Sequence, residues 1–235
     1  MVPLQVIWTR TTQRRATGTS LAAIVPIAIA GAGVYYFGKA APQLDLTVAL
    51  FVMLGSSFGA IAGSVLAKRV PERALTMLVA VMLLLAALKE LHDGILGGPA
   101  SQASGPANLG PGGYLLVSLG GVVIGVLSGL SGVGGGTLLV PMLVVGFGIG
   151  QRVAQGTSLL AVLPTATFGA LVHHRQGDVD LGAAGWMALA GAPLALVGGA
   201  LALLLPQRVL ASLFGLVLAV LAVRLWPARE EPPAD

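Results

Sequence analysis

Long apolar segments constrain this chain more than any other feature of its sequence. Residues 46–66 and 181–204 include no Asp, Glu, Lys or Arg. About 20 apolar residues suffice for a helix to cross the roughly 30 Å hydrocarbon core of a bilayer. Charged residues make up only 9% of the 235-residue chain, whereas a soluble domain has roughly 25%. The sequence therefore predicts an all-α, polytopic integral membrane protein. The runs are continuous and do not alternate as barrel strands do.

The apolar segments divide the chain into two halves. We predict segments at 17–38, 46–66, 73–89, 113–132, 137–149, 157–174, 181–204 and 208–226. A first repeat (1–89) and a second repeat (113–227) flank a polar loop at 90–112, and a disordered tail follows at 228–235. The net charge of +4 comes from basic residues near the segment ends, including those at 10–15 and 68–73. By the positive-inside rule, these two basic regions are expected in the cytoplasm and the 90–112 loop outside.

The two halves repeat each other in sequence. The stretch from Val2 aligns without a gap on the stretch from Val140, and further pairs follow with a shift after the first segment. The pairs are Gly18-Thr19-Ser20 with Gly156-Thr157-Ser158, Pro26 with Pro164, Asp45 with Asp180, and Gly63 with Gly198. Such an internal repeat is a recurring feature of transporters. We favour an inverted over a parallel arrangement, a choice that depends on whether the short segment 137–149 counts as a crossing.

The stretch "GLSGVGGGT" (129–137) interrupts an otherwise apolar region. It places four glycines within residues 132–136, and each glycine weakens a helix by about 1 kcal/mol relative to alanine. We expect one helix to end near Gly132 and a half-helix to begin near Thr137, leaving backbone N–H groups that favour an anion. The alternative is that these glycines only allow helices to cross closely. Nothing in the first half matches this stretch, which leaves a truncated and a degenerate first repeat both open.

Two further motifs are candidates for the same site. Each Gly-Thr-Ser is predicted to open a helix, where its hydroxyls cap the N-terminus or face a ligand. Pro26 and Pro164 lie inside their segments, where each kinks the helix or frees a carbonyl. The predicted substrate-binding residues are therefore Gly132, Gly134, Gly135, Gly136, Thr137, Gly18, Thr19, Ser20, Gly156, Thr157, Ser158, Pro26 and Pro164.

The sequence offers little other chemistry. Every charged residue lies at or near a predicted helix end, so no buried carboxylate or cation is expected in the membrane. There are no cysteines, which excludes a thiolate metal site. "HHRQGDVD" (173–180) is expected to be a loop at a helix end, and the alternative is a metal site at His173 and His174. We find no catalytic set and no complete phosphate-binding loop, and we predict no enzyme activity, no cofactor, no metal and no nucleic-acid partner.

The second half resembles a known family through "GVLSGLSGVGGGTLLVPMLV", the following "GTSL" and the "DVD" after a basic residue. These motifs are similar to those of the TauE/SafE sulfite exporter family, also called the toluene sulfonate uptake permease family. The resemblance implies a multi-pass transporter in the bacterial inner membrane that moves sulfur-containing anions such as sulfite or sulfonates, by export. Its partners would be a small anion and the lipid bilayer, and homo-oligomer formation stays open. The rival interpretation is a non-transporting membrane scaffold.

Overall fold

The computed structural model describes residues 13–38, 42–66, 72–97, 109–131 and 136–225. Within these residues there are helices and no strands, which confirms the all-α prediction. The helices are α1 (Gln13–Phe37), α2 (Leu46–Leu66), α3 (Glu72–Leu96), α4 (Gly110–Ser131), α5 (Gly136–Pro141), α6 (Gln151–Arg175), α7 (Leu181–Leu204) and α8 (Gln207–Leu225). A π-helical turn, Met142–Gly146, continues α5 directly. Six of these helices are long and apolar enough to cross a membrane.

Apolar side chains cover much of the outer surface, as contact with lipid requires. Trp186 is 74% exposed, Leu204 79% and Val223 72%. A water-soluble protein rarely exposes contiguous apolar surface on this scale. The exposure and the long apolar helices together describe a multi-pass membrane protein.

The ends of several helices differ from the sequence prediction, most clearly those of α3 and α6. Helix α2 and helix α7 coincide with the predicted segments 46–66 and 181–204. Helix α3, by contrast, does not end near residue 89, because residues 90–96 are also helical. The connection between α3 and α4 is therefore shorter than the predicted loop at 90–112, since α4 begins at Gly110. Helix α6 begins at Gln151 and not near residue 157. Both extensions include polar side chains that are buried against other helices, so they do not end the helix.

Helices α1 and α6 are sequence-equivalent and run antiparallel along each other. A Cβ built on Gly31 would stand 3.0 Å from Leu159 Cδ1, and one built on Gly169 would stand 2.9 Å from Leu21 Cδ1. Near the same end of α1 as Gly31, the Tyr35 hydroxyl donates to Gln155 Oε1 at 2.6 Å. Residue numbers thus increase along α1 in the same direction in which they decrease along α6.

Helices α3 and α8 form a second antiparallel pair of sequence-equivalent helices. A Cβ on Gly94 would stand 2.9 Å from the Ser212 nitrogen, and one on Gly215 would stand 3.0 Å from Leu91 Cγ. Equivalent helices that run antiparallel are what an inverted repeat requires. The repeat itself remains a prediction from the sequence.

Glycines bring α2 and α4 into very close parallel contact. Gly55, Gly59 and Gly63 of α2 lie against Ser118, Val122 and Val126 of α4 in the same order. From the other side, Gly121 and Gly125 of α4 lie against the backbone at Val52 and Ser56. Without Cβ atoms the two backbones pack directly on each other, as is common for small residues in membrane helices.

Candidate functional site

The short helix α5 folds back along α4 and points its first residue at the middle of α6. Gly120 of α4 lies against Met142, the first residue of the π-helical turn after α5, although the two residues are 22 positions apart in sequence. At the other end of α5, a Cβ built on Gly136 would stand 3.3 Å from Val162 Cγ2. Val162 is near the centre of α6, which covers Gln151–Arg175. Helix α5 therefore begins midway along the bundle.

Two prolines lie at the same level as the start of α5. Pro164 lies inside α6, two residues after Val162, and Pro26 lies inside α1. The antiparallel register of α1 and α6 places Pro26 opposite Pro164. Each proline lacks an N–H and leaves one helical carbonyl without its usual donor. Next to Pro164, the Thr165 hydroxyl donates to the Val162 carbonyl at 2.8 Å. Gly136 and both prolines, three of the predicted site residues, thus occur at one depth.

The rest of the glycine cluster is only partly described. Gly132, Gly134 and Gly135 lie outside the described residues. Thr137 is helical within α5, and its side chain also lies outside the description. A prediction about these four residues as ligands stays a prediction.

The two Gly-Thr-Ser motifs join one half of the chain to the other. A Cβ on Gly18 would stand 2.7 Å from His173 Cβ, and one on Gly156 would stand 2.8 Å from Tyr35 Cβ. His173 and Tyr35 are equivalent positions in the sequence repeat. Both glycines are therefore required for close helix approach, and any larger residue would separate α1 from α6.

The threonines of these motifs hold the starts of α2 and α7. Thr157 Oγ1 accepts the Asp45 backbone N–H at 2.9 Å, and Thr19 Oγ1 accepts the Asp180 backbone N–H at 3.0 Å. Asp45 Oδ1 in turn accepts the Val48 N–H at 3.0 Å, and Asp180 Oδ1 accepts the Ala183 N–H at 2.9 Å. Each aspartate thus caps a helix while a threonine from the opposite half orients it.

The interpretation of Gly-Thr-Ser as a helix cap is therefore wrong. Helices α1 and α6 begin at Gln13 and Gln151, five residues before each motif. Ser158 donates to the carbonyl of Gln155 within its own helix at 2.8 Å, and Ser20 is buried. Sequence reasoning could not show this, because the partners lie 112 and 161 positions away in the chain.

The structure does not bring the two Gly-Thr-Ser motifs together. The α1–α6 register places Thr19 opposite Leu171, whereas Thr157 is 14 residues closer to the start of α6. At 1.5 Å per residue these two levels are about 21 Å apart. A small anion cannot contact both threonines at once. Among the predicted site residues that the structure describes, only Gly136, Thr137, Pro26 and Pro164 lie near the middle of the bundle.

We expect Thr157→Val to destabilise the protein by about 1–3 kcal/mol, because the buried N–H of Asp45 would lose its acceptor. The measurement is detergent-dependent unfolding of the purified protein. Thr167→Val is the matched control, since the exposed Thr167 bonds only the Leu163 carbonyl of its own helix. A Thr157→Val protein with unchanged stability and lost anion binding would instead assign this hydroxyl to the ligand.

Buried carboxylates are present, contrary to the expectation from the sequence. Glu90, Asp93 and Asp45 are 1%, 3% and 6% exposed. Lys89 pairs with Asp93 one turn along α3, and His92 Nδ1 lies 3.3 Å from Asp93 Oδ1. Lys89 and Asp93 are four residues apart, a spacing that is typical of ion pairs on a helix. This sequence signal favours a predicted helix that continues past residue 89.

The histidine motif lies at the end of α6. His173, His174 and Arg175 form its last turn, and residues 176–180 connect it to α7. His173 Nδ1 is buried without a hydrogen-bond partner. Within the described ranges, no group of three or more His, Asp or Glu could hold a metal ion. Within the described residues, His173 and His174 therefore have no third side chain with which to bind a metal ion.

A groove between α3, α4 and α5 is the wrong kind of site for an anion. Its lining includes Met82, Ile124, Leu138, Pro141 and Met142, and it is almost entirely apolar. Such a lining suits acyl chains and offers no donors to an oxyanion.

Comparison with known proteins identifies the family. A family model described as "Sulfite exporter TauE/SafE" matches residues 1–90 and 117–235. The chain belongs to this family. The resemblance noted in the sequence is thereby confirmed, and the TauE/SafE members include proteins named as membrane transporters.

Three TauE/SafE relatives come from Bacillus subtilis and carry the name "probable membrane transporter protein". YjnA is 32% identical over 45% of this chain and 43% of its own length. YunE is 26% identical over 81% of this chain and 71% of its own, and YdhB is 30% identical over 70% and 65%. The alignment with YjnA thus spans less than half of that relative. No solved structure matches the chain.

Proposed function

We propose that this protein moves a small sulfur-containing oxyanion, such as sulfite or a sulfonate, across the bacterial inner membrane, in the direction of export. The family description supports the substrate class, since it names sulfite exporters. The single observation that carries the proposal is the start of α5 at Gly136, opposite the middle of α6. A helical segment that begins inside the bundle directs backbone N–H groups at membrane depth.

The anion would be held by backbone groups and not by side-chain charge. Helix α5 and its π-helical turn form one segment from Gly136 to Gly146. Its positive end carries roughly half an elementary charge and several N–H donors without a helical partner. Helices α1, α5 and α6, which meet near Val162, contain no Asp or Glu in their described residues to repel an anion. The proposed ligands are the N–H groups of residues 134–137.

The repeated Gly-Thr-Ser motifs have a positioning role in this proposal. Their threonines orient the starts of α2 and α7, and their glycines set the spacing of α1 and α6. Because α6 also faces Gly136, the distance between α1 and α6 determines the space that is available to an anion near the start of α5. This replaces the direct contact with Thr19 and Thr157 that the sequence had suggested.

Anion flux into proteoliposomes tests the proposal. Purified protein would be reconstituted, and uptake of sulfite, methanesulfonate and sulfate would be compared with protein-free vesicles. We expect sulfite or methanesulfonate to cross faster than sulfate by about tenfold or more, which equals about 1.4 kcal/mol of discrimination. Flux of none of the three anions would favour the rival interpretation as a scaffold.

A further inference from the structure

A buried carboxyl–carboxamide pair connects α3 to α6, and the proposed anion site does not use it. Glu90 of α3 is 1% exposed, and Gln151, the first residue of α6, is 0% exposed. With its amide nitrogen toward Glu90, Gln151 Nε2 lies 3.1 and 3.2 Å from the two carboxylate oxygens. Helix α8 closes the third side, since a Cβ on Gly215 would stand 3.1 Å from Glu90 Cβ.

No cation contacts the Glu90 carboxylate in the part of the chain that the structure describes. On its own helix, Lys89 pairs with Asp93, which His92 also contacts. On α6, the Arg152 guanidinium donates to the carbonyl of Leu205. On α8, Arg208 lies beside Gly97, beyond Asp93. An ionised carboxylate is costly to bury without a cation, whereas the proton-bearing form is neutral.

Gln151 can bond both protonation states of Glu90. Its Nε2 donates to the ionised carboxylate, and after a half-turn of the amide its Oε1 accepts from the protonated carboxyl. The two orientations occupy nearly the same volume, because amide oxygen and nitrogen are similar in size. A lysine in this position would stabilise only the ionised form, and a leucine would bond neither. The pair can therefore bind and release a proton without losing its hydrogen bond.

The pair also lies next to the connection that leads to α5. The π-helical turn ends at Gly146, and Gln151 begins α6 after a short turn with Gly148 at φ +65°. Within this turn the Ile149 N–H donates to the Leu143 carbonyl at 3.1 Å. A change in the hydrogen bond between Gln151 and Glu90 therefore acts directly on the turn that joins α5 to α6.

We propose that Glu90, hydrogen-bonded to Gln151, is the proton-binding residue that couples anion movement to protons. The inference rests on the proposed transport of a sulfur oxyanion. One carboxylate oxygen of Glu90 takes a proton from hydronium on one side of the membrane and returns it to water on the other side, and the anion is not changed chemically. The sequence repeat has Leu225 in the position of Glu90, so the second half lacks an equivalent proton site.

Flux under an imposed pH gradient tests the coupling with the full chain in proteoliposomes. Methanesulfonate is the probe, because it stays ionised over the pH range used. With one proton per anion, one pH unit should support about tenfold accumulation in the wild type. Glu90→Gln keeps the hydrogen bond and shape but cannot titrate, and we expect it to lose this accumulation. Asp93→Asn, a change of another buried carboxylate on the same helix, should retain it.

A swapped pair controls for misfolding. The double variant Glu90→Gln with Gln151→Glu places the carboxyl on the other side of the same pair, and we expect accumulation to return. Undiminished pH-driven accumulation in Glu90→Gln would overturn the proposal. So would a swapped pair that folds and transports but stays insensitive to the gradient.

A second measurement separates this inference from the proposed function. Infrared spectra of the purified protein, recorded against pH without any anion, report the C=O stretch of protonated carboxyls. We expect one titrating carboxyl in the wild type that Glu90→Gln lacks and the swapped pair restores. Identical titrations of wild type and Glu90→Gln would overturn the proton site. Absence of flux in the wild type, with the titration intact, would instead count against the proposed substrate.

Discussion

Substitution of Gly63 by alanine should destabilise the protein by about 2 kcal/mol or more. A Cβ at this position would overlap the Val126 carbonyl oxygen and stand 2.9 Å from Val126 Cα, both of which are backbone atoms that cannot rotate away. Overpacking of this kind costs about 1–3 kcal/mol and sometimes more, and the higher helix propensity of alanine offsets only about 1 kcal/mol. Unfolding of the purified protein in mixed detergent micelles measures the difference.

Gly198 provides a matched control from the second half. It is the equivalent of Gly63 in the sequence repeat, but nothing lies within 4 Å of a Cβ built there. Gly198→Ala should therefore be neutral or stabilise α7 by up to about 1 kcal/mol. Equal stability of the two variants would contradict the close contact of α2 with α4.

The contrast between these glycines extends along both helices. Where α2 has Gly55 and Gly59 against α4, the aligned positions of α7 are Ala190 and Leu194, and Leu194 is 71% exposed. Helix α7 thus does not preserve the glycine surface that lets α4 approach α2. The two halves therefore share the contacts around Gly-Thr-Ser. They differ in their second helices, since α2 packs closely on α4 through glycines and α7 lacks these glycines.

Substitution of Gly136 by leucine should reduce anion flux by about tenfold or more with little change in the amount of folded protein. A Cβ at Gly136 would stand 3.3 Å from Val162 Cγ2, so the larger side chain must push α5 away from α6. Displaced backbone donors would lose hydrogen bonds to a charged ligand, each worth about 1.5–3 kcal/mol. Methanesulfonate uptake by proteoliposomes measures the loss, with size-exclusion elution as the check on folding.

The control for this variant lies at the far end of the same helical segment. Gly146 has nothing within 4 Å of its built Cβ, so Gly146→Leu adds the same side chain without a clash. We expect it to keep the flux of the wild type. Loss of flux in both variants, or in neither, would contradict a specific role for the start of α5.

The sequence predicted elements where a local pattern was sufficient. The uninterrupted apolar runs defined α2 and α7 residue for residue, and the glycine cluster correctly predicted a helix end near residue 132 and a new helix near residue 137. These features depend on composition and on backbone propensity within a few residues. The family was also evident from the same short motifs.

Features that depend on distant partners could not be predicted. The sequence predicts a loop at Glu90 and Asp93, because charged residues after an apolar run usually leave the membrane, whereas Gln151 and Lys89 allow them to remain buried in α3. The sequence also predicts Thr19 and Thr157 in one site, although they bond Asp180 and Asp45 at opposite ends of α6. Only the antiparallel packing of α1 on α6 separates them.

The position of a bound anion tests the central claim most directly. Crystals of the full chain grown with selenite, the selenium analogue of sulfite, would reveal the anion by its anomalous scattering. We predict a selenium peak at the level of Pro164, placed so that the selenite oxygens lie about 3 Å from the backbone nitrogens of Gly136 and Thr137. A selenium peak only beside Thr19 or Thr157, or none within the bundle at saturating selenite, would contradict the account.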